Sequence, residues 1–524
     1  MNLVPFPLAP LVFCLAFFAP LPAFGAAADA QRVDIFEYQI DGIYLLPEEV
    51  VEKAVYPYLG EARTAEDVEH ARAALEKAYH EAGYQTASVQ IPQQEVTGGL
   101  VRLQVVEGTV GRLRVHGSRY FDIERIKADA PSLVEGTTPD FNAVTADIMA
   151  LNQHPDRRVT PALRAGVEPG TIDIDLNVED TSPLHGNLEL NNRHSANTTE
   201  LRLNGSVSYA NLWQREHTLG LSFQIAPERL DDAKVFSAYY LVPVPNSPVK
   251  LMVQGMKHDS DISTLGTFDV AGRGENLGIQ AIVSLPGTTT WSHGLTGGID
   301  YKHFDELLTL GGTTDGTQTP ITYYPLSVTY SGTHLGKKSL TQLNAGLNFH
   351  IRGMGSDSEE FANKRYGADG SYFYFRGDIA RTQTLPDDWQ LFGKLQGQLS
   401  SRPLISSEQF GAGGLGTVRG YLESEAMGDS GFAATLELRT PPLTLGGFFD
   451  EVRARVFTDW AGLILNDALP DQDSRFLLGS VGAGLTLHYR KHFHGSVDVG
   501  LPLRSEGNTE HYDPRVTFRV WADF

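Results

Sequence analysis

From residue 184 onward the chain alternates apolar and polar side chains one by one. Within 218–225, Leu219, Leu221, Phe223 and Ile225 fall on one side and Thr218, Gly220, Ser222 and Gln224 on the other. Leu391, Gly393, Leu395, Gly397 and Leu399 alternate with Gln390, Phe392, Lys394, Gln396 and Gln398. Phe432, Ala434, Leu436 and Leu438 alternate with Ala433, Thr435, Glu437 and Arg439. A period of two marks a strand with one wet and one dry face. Sixteen such strands are predicted, at 185–193, 200–211, 216–226, 233–243, 248–258, 274–285, 289–304, 318–331, 338–352, 368–383, 387–402, 430–440, 451–460, 476–490, 492–503 and 514–524. The connections alternate as well. Those at 244–247 and 385–387 are short, whereas 259–273, 305–317, 353–367 and 403–429 are long. The last strand places Phe518, Val520, Ala522 and Phe524 on one face. An even strand number, turns at one end and loops at the other predict an antiparallel transmembrane β-barrel over 184–524. A soluble sandwich would not need Lys, Gln, Glu and Arg opposite an apolar face on strand after strand; lipid outside and water inside do need them.

Residues 33–180 follow a different pattern. Thr64 with Glu66 and Asp67 reads as a helix start, and Val68, Ala71, Leu75, Ala78, Tyr79 and Ala82 recur at helical spacing before Gly83. The order is strand (33–41), helix (47–57), helix (64–82), then strands at 87–91 and 100–106. That order returns with a strand at 110–115, helices at 122–132 and 140–152, and strands at 157–164 and 171–178. The units end alike, on LQVVEG at 103–108 and LNVEDT at 176–181. Two units, 33–108 and 109–181, therefore read as a tandem duplication of one small α+β module.

Composition changes this picture little. A net charge of −22 argues against nucleic acid, which needs clustered Lys and Arg. A mean hydropathy of −0.20 looks soluble, but alternation dilutes the apolar residues of a barrel. Residues 1–28 carry no charge, have an apolar stretch at 11–18 and end in small residues, which predicts a signal peptide cleaved within 25–30, although no Lys or Arg begins it. The single cysteine, Cys14, lies within that segment behind the bulky Phe13, so a lipidated cysteine is not expected, nor a disulfide or thiolate site in the remainder. After residue 28 no run of 18 apolar residues could form a membrane-spanning helix.

A leader, two α+β modules and sixteen strands, with Val418-Arg419-Gly420-Tyr421 before the twelfth strand and Phe457-Thr458-Asp459 on the thirteenth, resemble the two-partner secretion transporters. These are the TpsB, or ShlB/FhaC/HecB, haemolysin secretion/activation proteins. NLWQREHTLGLSFQIAPE at 211–228 and YYLVPVP at 239–245 are similar to the family's first barrel hairpins. The resemblance covers about 33–524. It implies periplasmic POTRA modules and an outer-membrane barrel in contact with lipid, inserted by the barrel-assembly machinery. It further implies a monomer that exports a large TpsA-like partner, an adhesin or haemolysin received unfolded from the Sec pathway, without ATP or any cofactor.

The resemblance also implies a role for Arg419. In the family, the loop bearing VRG[YF] folds into the barrel, and its arginine meets an aspartate of an F-x-D-x-G pattern on the inner wall. Here that pattern reads Phe457-Thr458-Asp459-Trp460-Ala461, with Gly462 one place late. Strand parity agrees. Val452, Ala454, Val456, Thr458 and Trp460 form the more apolar face, so Arg453, Arg455, Phe457 and Asp459 face the lumen. Arg419–Asp459 is therefore the expected clamp of loop 403–429, surrounded by Val418, Gly420, Tyr421 and Phe457, with Arg453, Arg455, Glu437 and Arg439 as lumen charges. Arg453 and Arg455 are competing partners for Asp459, and a solvated pair would be worth only about 0–1 kcal/mol. The first module is expected to capture the exported chain by strand addition at 87–96, beside helix 64–82, with Val89, Ile91, Leu75 and Tyr79 as the contact residues. Because few residues separate the leader from Val33, no plug helix is expected, and loop 403–429 is the expected obstruction of the pore.

Other chemistry is sparse. GAGGLG at 411–416 lacks the strand and helix of a phosphate loop. His80-Glu81 has no second histidine at zincin spacing, and His488, His492 and His494 read as a polar turn, so neither a metal nor an enzyme activity is expected. The alternative is a BamA- or TamA-like insertion protein, which usually carries three to five POTRA modules. A passive porin would have none.

Overall fold

The computed structural model describes residues 32–524, apart from 43–44, 246, 266–267, 310–315, 446–448 and 471; the leader lies outside the described residues. The chain divides into two compact units, one containing residues up to 118 and 123–179, the other 119–122 and 180–524.

In the first unit, each module is a three-stranded sheet. The first module orders Glu37–Asp41, Leu100–Glu107 and Ala87–Gln90, with the first pair parallel and the second antiparallel. The second orders Thr109–His116, Thr171–Asp180 and Arg157–Ala165, with the first pair again parallel. The last strand of each module thus lies central. Helices Glu48–Val55 and Ala65–Glu81 belong to the first module, and Ile123–Ala128 and Phe141–Leu151 to the second. Thr64 and Asp67 cap the long helix reciprocally. A short pair that periodicity does not reveal, Val33–Ile35 with Gly60–Arg63, lies outside the main sheet of the first module.

Two glycines carry the duplication further. Gly42 (φ +85) and Gly117 (φ +88) each lie just after the first sheet strand of their module. A Cβ there would come within 2.4 Å of the carbonyl oxygen of Val105 or Val178, the matching valines of LQVVEG and LNVEDT. Only glycine combines that dihedral with that approach.

The second unit is a closed barrel. Gly316–Tyr323 and Leu326–Gly336 both pair with Trp291–Thr309 and form one strand interrupted at Pro325. Ser430–Arg439 and Leu443–Leu445 likewise share Phe449–Ile464 across Pro441 and Pro442. Proline lacks the N–H that a ladder needs. So counted, the described residues form sixteen antiparallel strands, and each predicted segment corresponds to one. Leu221, Phe236, Leu277, Leu395, Val456 and Trp460 are exposed on the outer surface, as a lipid-facing band requires. Gln224, Gln398, Glu437 and Asp459 are buried on the inner one.

Two expected loops are corrected. Val249–Leu265 and Phe268–Leu285 pair up to Leu265↔Phe268, so 259–273 is largely ladder. Trp291–Thr309 and Gly316–Tyr323 likewise extend into 305–317. Beyond the bilayer both faces are wet, so ladder continues without the alternation that reveals it. Loop 353–367 holds the helix Ser358–Lys364.

Replacing Gly117 by Ala should destabilise the second module by about 1–3 kcal/mol. In full-length protein, proteolysis within 109–181 should begin at lower urea, while the barrel resists SDS as wild type does. Unchanged proteolysis would contradict the assigned strain.

Candidate functional site

Loop 403–429 lies inside the barrel wall, not over it. Phe410, Ala412, Val418, Tyr421 and Ala426 pack in one apolar cluster with Ala433, Ala461, Leu463 and Leu478 of the wall. Ala461 occupies the inward position where the family pattern has glycine, and Gly462 lies outward beside the Phe432 ring. The late glycine therefore leaves the Asp459 carboxylate, three residues earlier, in place.

Arg419 is the polar centre of this packing. Its Nε donates to Asp459 Oδ2 at 2.7 Å and its Nη2 to Oδ1 at 2.9 Å, a two-pronged grip. Its backbone N–H also donates to Asp459 Oδ2, at 3.1 Å. Nη1 donates to Glu437 Oε2 at 2.6 Å, with Asp498 Oδ1 3.9 Å away. The guanidinium carbon sits 3.4 Å from the centre of the Phe457 ring, within cation–π range. Asp459 is 0% exposed and Arg419 7%. Burial works against the charge of Arg419, but the hydrogen bonds and charges of Asp459 and Glu437 outweigh it and hold the guanidinium in its charged form.

Register explains why these groups meet. Phe457 is opposite Glu437 on one side and Gly482 on the other, and Gly482 is opposite Gly500. A Cβ at Gly482 would come within 2.3 Å of the Phe457 ring, and one at Gly500 within 2.6 Å of the Gly420 nitrogen. Two bare positions in one row thus let the ring lie flat and the loop tip touch the wall. Gly420 has φ +97, which favours glycine at the turn. Tyr421 packs beside Val418, and its hydroxyl lies within donating reach of the carbonyls of Gly479 (3.1 Å) and Arg504 (2.8 Å).

The competing partners of Asp459 are engaged elsewhere. Arg455 makes a two-pronged pair with Asp498, at 2.8 and 2.6 Å. Arg453 pairs with Glu451, and Arg439 with Glu437 at 2.6 Å.

Sequence reasoning missed four acids of the loop itself. Buried Glu408 accepts from Lys302 (2.6 Å), Tyr323 (2.6 Å) and Tyr374 (2.7 Å). Asp429 accepts from the backbone of Leu404 (2.8 Å) and Asn466 (2.7 Å). Glu423 accepts from Arg193, and Glu425 from Asn508 and Thr509. The available signal was their number, since acids in a lumenal loop need donors on the wall. Phe361 of the neighbouring loop helix also packs with Leu404 and Ile405.

The expected capture residues of the first module need correction. Leu75 and Tyr79 are 0% exposed and Val89 3%, all in one hydrophobic core; Ile91 alone is exposed, just beyond the strand. The spacing that identifies a helix also identifies its buried stripe. Tyr79 instead donates to Glu107 at 2.9 Å, and its phenol is pushed up by burial first and by that bond second. The strand is Ala87–Gln90, shorter than 87–96, and it lies at a sheet edge. Its backbone is partly covered. Val89 N–H donates to Glu76 (3.1 Å), Val89 C=O accepts from Arg72 (3.4 Å), and Ala87 C=O lies 3.1 Å from His80 Nε2. Side chains protecting an exposed edge in this way block unwanted strand pairing.

Among the described residues no group of three or more His, Cys, Asp or Glu side chains could hold a metal. His488 and His494 face each other, Nδ1 to Nδ1 at 2.8 Å.

Comparison with known proteins agrees with this fold. The sequence model for haemolysin secretion/activation protein ShlB/FhaC/HecB matches residues 170–487, and the ShlB-type POTRA domain matches 33–108. The outer membrane transporter CdiB of Dickeya dadantii is 24% identical over 71% of this chain and 66% of its own length. The heme/hemopexin transporter protein HuxB of Haemophilus influenzae is 20% identical over 86% of this chain and 80% of its own. Among solved structures, CdiB from Escherichia coli superposes with a TM-score of 0.66 at 19% identity, covering 96% of this chain and 93% of that one. BamA from Haemophilus ducreyi, lacking POTRA domains 1–3, gives 0.55 at 15% identity, covering 94% and 100%, a likeness of fold alone. The chain belongs to the ShlB/FhaC/HecB family of haemolysin secretion/activation proteins, transporters whose barrel lies in the outer membrane and whose POTRA modules lie in the periplasm.

Proposed function

We propose that this transporter passes an unfolded partner protein through the barrel lumen, and that loop 403–429 obstructs that path until the Arg419–Asp459 clamp yields. The observation that carries this reading is the loop's position, inside the wall and fixed by a buried arginine between two acids. Removing one member of a buried ion pair typically costs about 3–5 kcal/mol, enough to shift a loop held by a few such contacts. Arriving cargo would do the same work by competing for wall contacts, and folding outside the cell would give the passage its direction. The cargo is a large exported protein of adhesin or haemolysin type, delivered by the Sec pathway.

Capture begins at the first module, by pairing of an extended cargo segment with the edge Ala87–Gln90. Backbone pairing tolerates varied sequence, as suits a cargo that arrives without a fold. The cargo strand must displace Glu76, Arg72 and His80 from the backbone of Val89 and Ala87, so these side chains set the threshold for pairing. Ile91, exposed at the strand end, is the remaining apolar contact from the expected set.

The clamp is tested by export of the co-encoded large protein at equal barrel levels. Arg419→Ala and Asp459→Ala should each reduce export, and the charge-swapped pair should recover part of it. Equal export from all four barrels would contradict the clamp.

Gly500→Ala tests the same contact from two strands along the same row. It should push the loop tip away and raise ion conductance in planar bilayers several-fold, as Arg419→Lys should by losing the two-pronged grip. Conductance equal to wild type in both would sink the reading. Deleting 33–108 should abolish export while the barrel still assembles; normal export would remove capture from the first module.

A further inference from the structure

The barrel closes where its first strand, Leu184–Asn191, meets its last, Arg515–Asp523. The two pair from Asn187↔Asp523 to Asn191↔Arg519. Backbone bonds continue to Gly186 and Phe524 at one end, at 2.8 and 3.0 Å, and to Asn192 N–H with Phe518 C=O at 3.4 Å at the other. Glu189 and Arg519 add a two-pronged ion pair across the joint, at 3.0 and 2.6 Å.

Outward of Asn192 the joint changes character. The Asn192 side chain takes the place of backbone, accepting from Phe518 N–H at 2.8 Å and donating to Val516 C=O at 2.9 Å. Beyond it, loop 403–429 touches both flanks. Glu423 accepts from Arg193 Nε at 2.8 Å and Nη2 at 3.2 Å, and its own N–H donates to the His194 carbonyl at 3.1 Å. These residues follow the first strand. Two positions on, Glu425 accepts from Asn508 N–H at 2.6 Å and Thr509 Oγ1 at 2.7 Å, and Tyr421 donates to the Arg504 carbonyl at 2.8 Å. These residues precede the last strand. Glu423 is itself fixed, since it also accepts from Leu415 N–H at 3.1 Å and lies against Gly414, where a Cβ would come within 2.3 Å of its carboxyl carbon.

We infer that loop 403–429 is also a brace across the barrel's closing joint, with Glu423 holding the first-strand side and Glu425 the last-strand side. The inference rests on the reading of this loop as the lumenal obstruction and deepens it. The loop has two ends with separate tasks. The tip, at Arg419, yields to cargo. The segment 421–425 stays attached, so the wall does not part while the tip is displaced. Glu423 and Glu425 are positioning residues: neither needs to touch the cargo.

The test uses a disulfide as an independent brace. Leu190 and Val520 are directly opposed across the joint, and the described chain has no cysteine. The double variant Glu423→Ala/Glu425→Ala, in the full-length protein, should lose its folded form in SDS roughly ten times faster than wild type, as expected for lost hydrogen bonds to charged groups. Forming the bridge in Leu190→Cys/Val520→Cys should restore the lifetime, and reducing it should abolish the restoration. An unchanged lifetime would overturn the inference. So would a shortened lifetime that the bridge fails to restore, because the two acids would then hold the loop alone and not the joint. Arg419→Ala separates this inference from the clamp: its raised conductance should persist with the bridge formed. A bridged Arg419→Ala barrel of wild-type conductance would count against the clamp reading and leave the brace standing.

Discussion

A guanidinium withdrawn from water must be met by carboxylates, or the segment that carries it returns to the solvent. Arg419 is withdrawn almost completely, and Asp459 and Glu437 meet it from two adjacent strands. On the proposed reading, this charge balance fixes where loop 403–429 lies. The loop is rich in glycine, and its buried apolar residues, among them Leu404, Phe410, Val418 and Tyr421, pack beside that charge. With the arginine seated, Val418, Tyr421 and Phe410 reach the wall and the apolar cluster closes around them.

The barrel makes this charge chemistry affordable through the alternation of its strands. Every second residue must face lipid, so every other second residue is free to be polar. The inner surface uses that freedom on a ladder of pairs: Arg453–Glu451, Arg455–Asp498, Arg439–Glu437 and Arg519–Glu189. A wall already saturated with internal pairs leaves the Asp459 carboxylate available to the loop. The same loop uses acids where the wall offers donors, at Glu408, Glu423, Glu425 and Asp429, and its one deeply seated cation where the wall offers acids.

Much of this architecture is legible in the sequence, for a physical reason. A bilayer enforces alternation, so each membrane strand announces itself, and the parity of 452–460 alone assigns Asp459 to the lumen. What parity lacks is height. Nothing along the chain says that Phe457, Glu437, Gly482 and Gly500 share one row, so the second acid of the clamp and the glycine contact emerge only with register. The extensions at 259–265 and 268–273 were missed because no lipid enforces alternation there. In the modules the error ran the other way. The period that located helix 65–81 is the period of its buried face, so Leu75 and Tyr79 belong to the core, while the half-buried Arg72 and Glu76 beside that stripe reach the strand edge.

The central claim, that the loop tip is released during transport, is most directly tested at Val418, which is fully buried beside the clamp. In a Val418→Cys barrel the rate of thiol labelling reports whether the tip has left the wall. Labelling should be slow in the empty barrel and should rise at least ten-fold, about 1.4 kcal/mol of lost protection, when a cargo fused to a stable folded domain is jammed in transit. An equal rate in empty and jammed barrels would contradict the account, because cargo would then pass with the loop still clamped in place.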